Sequence, residues 1–122
     1  MAEVKRVYYK SGELKEEWFE VNGKIEGEYK SYYPNGQLWY IDNYVNGKRK
    51  CEYKEYYENG HLSDIYNCVN DFREGENKQY WPDGKLYKVC NYVNDKKEGE
   101  AKGYQENGEL RKNENFVNGV KV

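Results

Sequence analysis

The residues that could do chemistry in this 122-residue chain are few and scattered. His61 is its one histidine, and it follows an Asn-Gly pair that is typical of a turn. Catalysis needs several polar groups with tuned pKa values in one place, whereas a histidine beside a turn is normally solvent-exposed. Glu55 and Asp64 would face each other across that turn, but like charges on a half-exposed sheet are expected to splay into solvent. The sequence therefore predicts no catalytic residue and no enzyme.

The cysteines do not form a metal motif. Cys51, Cys68 and Cys90 include no CxxC pair and no histidine at zinc-ligand spacing, so no metal site is predicted. Their odd number and irregular spacing favour reduced thiols in a cytoplasmic protein, or in a secreted or surface protein if a leader has been removed. No glycine cluster suited to a phosphate is present, and no cofactor is predicted.

A repeat of 24 residues organises the chain and must position any site. Its glycine, its leucine and its tyrosine each recur in phase, and such periodicity takes precedence over local propensity as evidence for the fold. The recurring residues are Gly12, Gly36, Gly60, Gly84 and Gly108, with Leu14, Leu38, Leu62, Leu86 and Leu110, and with Tyr8, Tyr32, Tyr56, Tyr80 and Tyr104.

Two turn signals per repeat separate segments rich in tyrosine, valine and isoleucine, which predicts β-hairpins. One signal is the Asn59-Gly60 type, and the other is the Asn46-Gly47 type, always preceded by valine. The expected fold is all-β: a single elongated, twisted and curved antiparallel β-meander of about five 24-residue hairpin repeats, with about ten strands and no substantial helix. We predict one domain over residues 1–122, with repeats at about 8–31, 32–55, 56–79, 80–103 and 104–122. Gly27, Gly75 and Gly99 occupy positions where a bulge would strengthen the bend.

Alternation along the strands predicts one aromatic face and one mostly polar face. If Asn59 and Gly60 form a two-residue turn, Leu62 faces Tyr57 and Tyr66 faces Tyr53. The same pattern pairs Leu38 with Tyr33, and Leu86 with Trp81, and it places Trp39 on the opposite face. This aromatic face either stabilises a single-layer sheet or forms a partner-binding groove. The candidate binding residues are Tyr29, Tyr33, Leu38, Tyr53, Tyr57, Tyr66 and Trp81.

The same hairpin register places Cys51 opposite Cys68 in a non-hydrogen-bonded pair, where Cα atoms approach to about 4.5 Å. That separation lies near the short end of the disulfide range. Two packed thiols and a disulfide both remain open.

The pattern G-x-L, then Y-V-N-G, then G-E-Y-K-x-Y-Y-x-N-G resembles the bacterial variant of the MORN repeat, over roughly residues 7–117. The resemblance implies an elongated, curved antiparallel sheet that contacts proteins or lipids and has no catalytic residues. Many proteins of this variant are regarded as antitoxin partners of a secreted-toxin module. The chain departs from the pattern at Cys51, Asn77, Ala101 and Gly103, so we expect the aromatic stripe to weaken toward the C-terminus.

Charge narrows the choice of partner. A net charge of -2, with both signs interspersed, disfavours nucleic acid and gives little attraction to anionic lipid. A protein or peptide partner is expected, and a toxin is one candidate. A membrane surface is disfavoured, and edge-strand pairing into a homo-oligomer is a third alternative because a meander leaves both outer strands unpaired.

Overall fold

A computed structural model describes residues 2–122, which form one antiparallel sheet of fifteen strands. In chain order the strands are β1 (Ala2–Tyr8), β2 (Leu14–Val21), β3 (Lys24–Ile25), β4 (Gly27–Tyr32), β5 (Leu38–Val45), β6 (Lys48–Arg49), β7 (Glu52–Tyr56), β8 (Leu62–Val69), β9 (Phe72–Arg73), β10 (Gly75–Tyr80), β11 (Leu86–Val93), β12 (Lys96–Lys97), β13 (Gly99–Tyr104), β14 (Leu110–Val117) and β15 (Val120–Lys121).

The strands follow one another across the sheet in chain order, which is the topology of a meander. Ten strands are five residues or longer, and five have two residues each. The predicted all-β meander of about ten strands is therefore confirmed. The two-residue strands were not predicted. No helix long and apolar enough to cross a membrane occurs within residues 2–122.

The two-residue strands arise from tight turns at the valine-preceded signals. Val45 pairs with Lys48, and the two residues between them, Asn46 and Gly47, have φ angles of 52° and 81°. Positive φ at both central residues characterises the type I′ turn, a two-residue hairpin turn that Asn-Gly favours. Each such turn folds two residues back onto the end of the preceding long strand.

The chain then shifts register before the next long strand begins. Along β2, Glu20 pairs with Ile25 but Glu17 pairs with Lys30, so three steps on one strand match five on the other. Gly27 lies inside this irregular stretch with a φ angle of 85°, a conformation that costs glycine little. This confirms the expected backbone irregularity at Gly27.

The Asn-Gly signals of the other edge form a different turn from the one predicted. The Tyr57 N–H donates to the His61 carbonyl at 2.8 Å, and the Gly60 N–H donates to the Tyr57 carbonyl at 2.9 Å. The loop therefore has three residues, 58–60, and Gly60 takes a φ angle of 92°. Three-residue hairpin loops combine an ordinary β-turn with a residue at positive φ, and Asn-Gly serves this geometry equally well.

A bulge compensates for the longer loop. Tyr56 pairs with Leu62, whereas Glu55 pairs with Asp64, so Ser63 is an extra residue on β8. The prediction that Leu62 faces Tyr57 is wrong for this reason. The predicted pairing of Tyr53 with Tyr66 is confirmed. The extra loop residue shifts the register by one, and the extra residue Ser63 shifts it back, so the pairs beyond the bulge are those predicted.

The equivalent bulge recurs in the neighbouring hairpins. Leu38 pairs with Tyr32 rather than Tyr33, and Leu86 pairs with Tyr80 rather than Trp81. Trp39 is the bulged residue of its hairpin. A bulge re-aims side chains, which matters for the ring contacts of Trp39 described below.

The sheet has two faces and almost no interior. Alternation from Tyr53 and Tyr66 defines the ring face, and the neighbouring residues Lys54 and Ile65 define the charged face. Cys51, with 4% of its surface exposed, is the one buried apolar side chain found in residues 2–122. Three lysines of the charged face form ion pairs with glutamates two positions away, namely Lys30–Glu28, Lys78–Glu76 and Lys102–Glu100.

Successive repeats are joined by a hydrogen bond at the three-residue loops. An aromatic side chain that begins one loop donates to a main-chain carbonyl in the next repeat, 23 residues onward. These inter-repeat bonds are Tyr9 to Tyr32 at 2.6 Å, Tyr33 to Tyr56 at 2.6 Å, Tyr57 to Tyr80, and Trp81 to Tyr104 at 3.2 Å.

The tight turns of the opposite edge are joined by glutamates. The Asn46 N–H donates to the Glu26 carboxylate at 3.1 Å, and the same bond links Asn94 to Glu74 at 3.1 Å. In the second repeat, Lys50 occupies the position of Glu26. A lysine side chain cannot accept a hydrogen bond, so it cannot replace this bond to the next tight turn.

We expect Asp71→Gly to stabilise the protein by about 0.5–1 kcal/mol. Asp71 holds a φ angle of 67° in a tight turn where other copies carry glycine. A left-handed conformation costs a side-chain-bearing residue about 1–2 kcal/mol, and the entropic cost of glycine offsets about half of that. Asp95→Gly should gain less, because the Asp95 carboxylate accepts from the Arg73 N–H at 3.2 Å. Urea unfolding midpoints measure both, and a lower midpoint for Asp71→Gly would contradict this account of the turn.

Candidate functional site

A continuous row of aromatic rings crosses the first half of the ring face. Ring centroids are separated by 5.1 Å from Trp18 to Tyr29, 6.4 Å from Tyr29 to Tyr40, 5.8 Å from Tyr40 to Tyr53 and 4.9 Å from Tyr53 to Tyr66. Pairs at these distances each contribute about 0.5–1.5 kcal/mol beyond the area that they bury. All five rings are half-buried, so each keeps part of its surface open to solvent. We call these five residues the ring row.

Three of the predicted binding residues lie in the ring row, namely Tyr29, Tyr53 and Tyr66. The other four lie along the loop edge. Tyr33, Tyr57 and Trp81 make the inter-repeat hydrogen bonds, and Leu38 packs at the end of its strand opposite Tyr32. The structure therefore gives Tyr33, Tyr57 and Trp81 a role in joining repeats.

Trp39 contacts the ring row, contrary to the predicted opposite face. Its ring lies 5.5 Å from that of Tyr33 and 5.3 Å from that of Tyr40, edge-on in the second case. The bulge at Trp39 accounts for the difference, because strict alternation along the strand fails at that residue. Trp39 thus connects the loop edge to the row.

Trp18 and Tyr40 are members of the row that sequence reasoning missed. Trp18 precedes Tyr66 by two repeat lengths, and Tyr40 pairs with the buried Ser31. The signal that could have found Trp18 was its position in the 24-residue frame.

An ion pair between an exposed arginine and a buried carboxylate lies beside the row. The Arg49 guanidinium donates to the Asp42 carboxylate, which is 4% exposed, and also to the Tyr66 hydroxyl at 2.9 Å. Its carbon lies 5.4 Å and 5.8 Å from the ring centroids of Tyr53 and Tyr66. Burial lowers the pKa of Arg49, but the bonds to Asp42 and Tyr66 outweigh it, so the pKa is raised overall. A charged guanidinium therefore borders the exposed rings.

The hydroxyls of Tyr29 and Tyr53 donate hydrogen bonds to carboxylates. Burial raises the pKa of Tyr29 and Tyr53, and their bonds to Glu16 at 2.9 Å and Glu55 at 2.6 Å raise it further. The row thus presents ring surface and hydroxyl groups rather than phenolate nucleophiles.

Glu55 and Asp64 do not splay into solvent as expected. Glu55 accepts from Tyr53 and from the Trp39 ring N–H at 3.3 Å, and Asp64 accepts from Gln79 at 3.3 Å. Burial raises the pKa of Asp64, with Glu55 opposite adding to the rise. The two carboxylates lie on the ring face beside the row and hold its side chains, rather than forming a separate site.

The row ends where the side chains become small, which confirms the expected weakening toward the C-terminus. Asn77 and Ala101 occupy the repeat positions of Tyr29 and Tyr53, and Gly103 occupies that of Ser31. A groove of about 290 Å³ opens there. We call it the C-terminal groove. Its lining includes Arg73, Asn77, Lys88, Cys90, Tyr92, Lys97, Ala101, Gly103, Lys112, Glu114 and Phe116.

Cys51 stands at the bulge position that glycine holds in other repeats, with a φ angle of 63°. Its Cα atom lies 5.0 Å from that of Cys68, and the structure joins the two sulfur atoms. The pair is a hydrogen-bonded one, contrary to expectation, because the Cys68 N–H donates to the Cys51 carbonyl at 3.0 Å. Oxidation of this pair in solution stays a prediction. No group of three or more potential metal ligands occurs in the described part of the chain, residues 2–122.

Comparison with known proteins assigns the repeat. The family model described as MORN repeat variant matches residues 25–46, 52–67, 73–94 and 97–118, more than half of the chain. No curated protein sequence matches significantly. Among solved structures, a chain in the crystal structure of a GtfA/B complex bound to UDP and GlcNAc is similar, with 19% identity and a TM-score of 0.38. The match covers 88% of this chain and 21% of that chain, so this chain spans about a fifth of its length.

Tyr57→Phe should destabilise the sheet by about 0.5–1.5 kcal/mol, because it removes the inter-repeat bond to the Tyr80 carbonyl and keeps the ring. Tyr56→Phe is the matched control, since the Tyr56 hydroxyl makes no hydrogen bond to any residue in 2–122. Denaturant midpoints of the two variants should differ clearly. Equal midpoints would show that the inter-repeat bond contributes nothing.

We predict that Cys51 and Cys68 are bonded in protein purified without reductant. Thiol titration in denaturant should then find one reactive thiol, that of Cys90, which is the free cysteine of the structure. The Cys90→Ser variant should show none without reductant and two after reduction. Three reactive thiols in the unreduced parent protein would exclude the disulfide.

Proposed function

This chain belongs to the MORN repeat variant family, whose repeats are generally protein- or membrane-binding modules, and we propose that it is a non-catalytic scaffold that binds a protein or peptide partner across its ring face. The ring row carries the proposal. Its five rings form one continuous surface that no second layer of the sheet covers within residues 2–122.

Half-exposed tyrosine and tryptophan rings beside an arginine have the composition of an interface hot spot. Such side chains lose little conformational freedom on binding, because each ring is already held by its neighbours. Arg49, held by the buried Asp42, adds a fixed charge at the edge of the row. A partner would therefore meet a surface whose geometry is set in advance.

A membrane surface is the second candidate, and charge disfavours it. The net charge is -2, and three lysines of the charged face, Lys30, Lys78 and Lys102, are paired with neighbouring glutamates. Anionic lipid attracts proteins through unpaired basic residues at about 1 kcal/mol each. The negative net charge therefore gives little overall attraction to anionic lipid.

We also propose a cytoplasmic location and an antitoxin-like role as narrower forms of this function. The cysteine content supports the first, and resemblance to antitoxin-type repeat proteins motivates the second. A toxin surface is one kind of protein partner that the ring row could cover. Pairing of outer strands into a homo-oligomer is a separate proposal, to be judged by mass in solution as a function of concentration.

Peptide ligands selected from a displayed random library against the immobilised protein should lose at least about 30-fold in affinity for the Tyr53→Ser variant. That loss corresponds to about 2 kcal/mol, the usual threshold for a hot-spot residue. Phe19→Ser is the matched control, since Phe19 is a 40% exposed ring that follows Trp18 in β2 and so lies on the charged face. It should bind as the parent protein does.

Thermal melts must show that both variants are folded. Undiminished binding by folded Tyr53→Ser, or an equal loss in Phe19→Ser, would contradict a ring-face site. Salt-sensitive co-sedimentation with phosphatidylserine vesicles, together with no selected peptide, would favour the membrane alternative.

A further inference from the structure

A column of cations runs along the ring face, one in each of the last four two-residue strands. Its members pair in register with Tyr44, Cys68, Tyr92 and Phe116, respectively. We call it the cation column, and it consists of Arg49, Arg73, Lys97 and Lys121.

The two outer members are neutralised by a carboxylate of the same repeat. Arg49 pairs with Asp42, and Lys121 pairs with Glu114 at 2.8 Å. Asp42 and Glu114 hold the same position in the repeat, three units apart. In both cases the carboxylate lies two residues before the ring that pairs with the cation, which places cation and anion on one face.

The two inner members have no such carboxylate. Tyr66 and Cys90 occupy the repeat position of Asp42 and Glu114. Arg73 instead lies 4.5 Å from the ring centroid of Tyr66, and Lys97 lies 5.0 Å from that of Phe116. Neither forms an ion pair with any residue in 2–122. Two cations that form no contact ion pair therefore flank the place where the repeat's carboxylate is missing.

The C-terminal groove lies at that place and has room for a ligand. Arg73 and Lys97 line it, together with Asn77, Cys90 and Ala101. Asn77 pairs with Cys90 across the strands and is only 8% exposed. Within residues 2–122 no donor reaches its side-chain oxygen, and an unsatisfied buried acceptor costs about 1–3 kcal/mol. The one carboxylate that lines the groove, Glu114, is already paired with Lys112 at 3.0 Å and with Lys121 at 2.8 Å, so it leaves Arg73 and Lys97 without an anion.

We infer that the C-terminal groove binds an acidic segment of a protein chain. A carboxylate side chain of that segment takes the missing position beside Cys90, between Arg73 and Lys97. The inference rests on the proposed protein-binding function and specifies its ligand. A groove of about 290 Å³ has room for a single carboxylate side chain, whereas an anionic phospholipid surface presents many charges at once to a protein whose net charge is -2.

The test measures fluorescence anisotropy with a labelled peptide of glycine, serine and glutamate, and with a matched peptide in which glutamine replaces glutamate. The glutamate peptide should bind and the glutamine peptide should not. Cys90→Asp supplies the missing carboxylate from within, as Asp42 and Glu114 do elsewhere, and should weaken binding by about tenfold or more although no cation is removed. Cys90→Ser, of similar size and neutral, should bind as the parent protein does.

A second pair of variants separates the site from overall charge. Lys97→Gln should weaken binding by about tenfold, whereas Lys96→Gln, its neighbour on the same short strand, removes the same charge from the opposite face and should have little effect. Asn77→Tyr restores the ring of the earlier repeats at this position, fills the groove and should abolish binding.

Equal binding of both peptides, or equal effects of Lys96→Gln and Lys97→Gln, would overturn the inference. So would Lys97-dependent binding to phosphatidylserine vesicles with no binding of the glutamate peptide. If library peptides still require Tyr53 while the glutamate peptide does not bind, the inference fails and the proposed ring-face function stands. If neither binds, both fail.

Discussion

The inter-repeat hydrogen bond is the contact on which the rest of this structure depends. A single sheet cannot bury a conventional core, and Cys51 is the one buried apolar side chain found in residues 2–122. The repeats must therefore be held to one another by strand pairing, ring stacking and bonds between turns. Stability in such a protein is close to a sum of contributions between neighbouring units. Tyr33 and Tyr57 fix the spacing of the loops and, with it, the spacing of the ring row.

The second repeat shows how a defect in this system is compensated. Lys50 and Cys51 replace the Glu-Gly pair found at Glu26 and Gly27, so the glutamate bond between tight turns is missing there. The contact between Cys51 and Cys68 joins that repeat to the next one. A covalent link would join the two strands at the point where the turn-to-turn bond is lost. The departure from the repeat pattern is thus local, and the strand order continues through it unchanged.

Much of the fold could be predicted because a fixed period constrains all five repeats at once. The Tyr53–Tyr66 pairing followed from alternation and one turn position. The bulge at Ser63 could not be predicted, because Asn-Gly suits both a two-residue and a three-residue loop. For this reason the predicted partner of Leu62 and the predicted face of Trp39 were both wrong. In the candidate site, the ring row was found where alternation held, whereas the cation column requires comparison of residues 24 positions apart, such as Arg49 with Arg73.

The inter-repeat bond also has a consequence for how such a protein can evolve. Each bond spans 23 residues, and its donor and acceptor recur in every unit that carries the pattern. An in-frame duplication of one unit would therefore create its own donor and acceptor and leave the existing bonds intact. Each added unit contributes two long strands, which lengthens the face by about 10 Å. The reach of the surface can thus be changed by copy number in a single genetic event, without any substitution in the existing repeats.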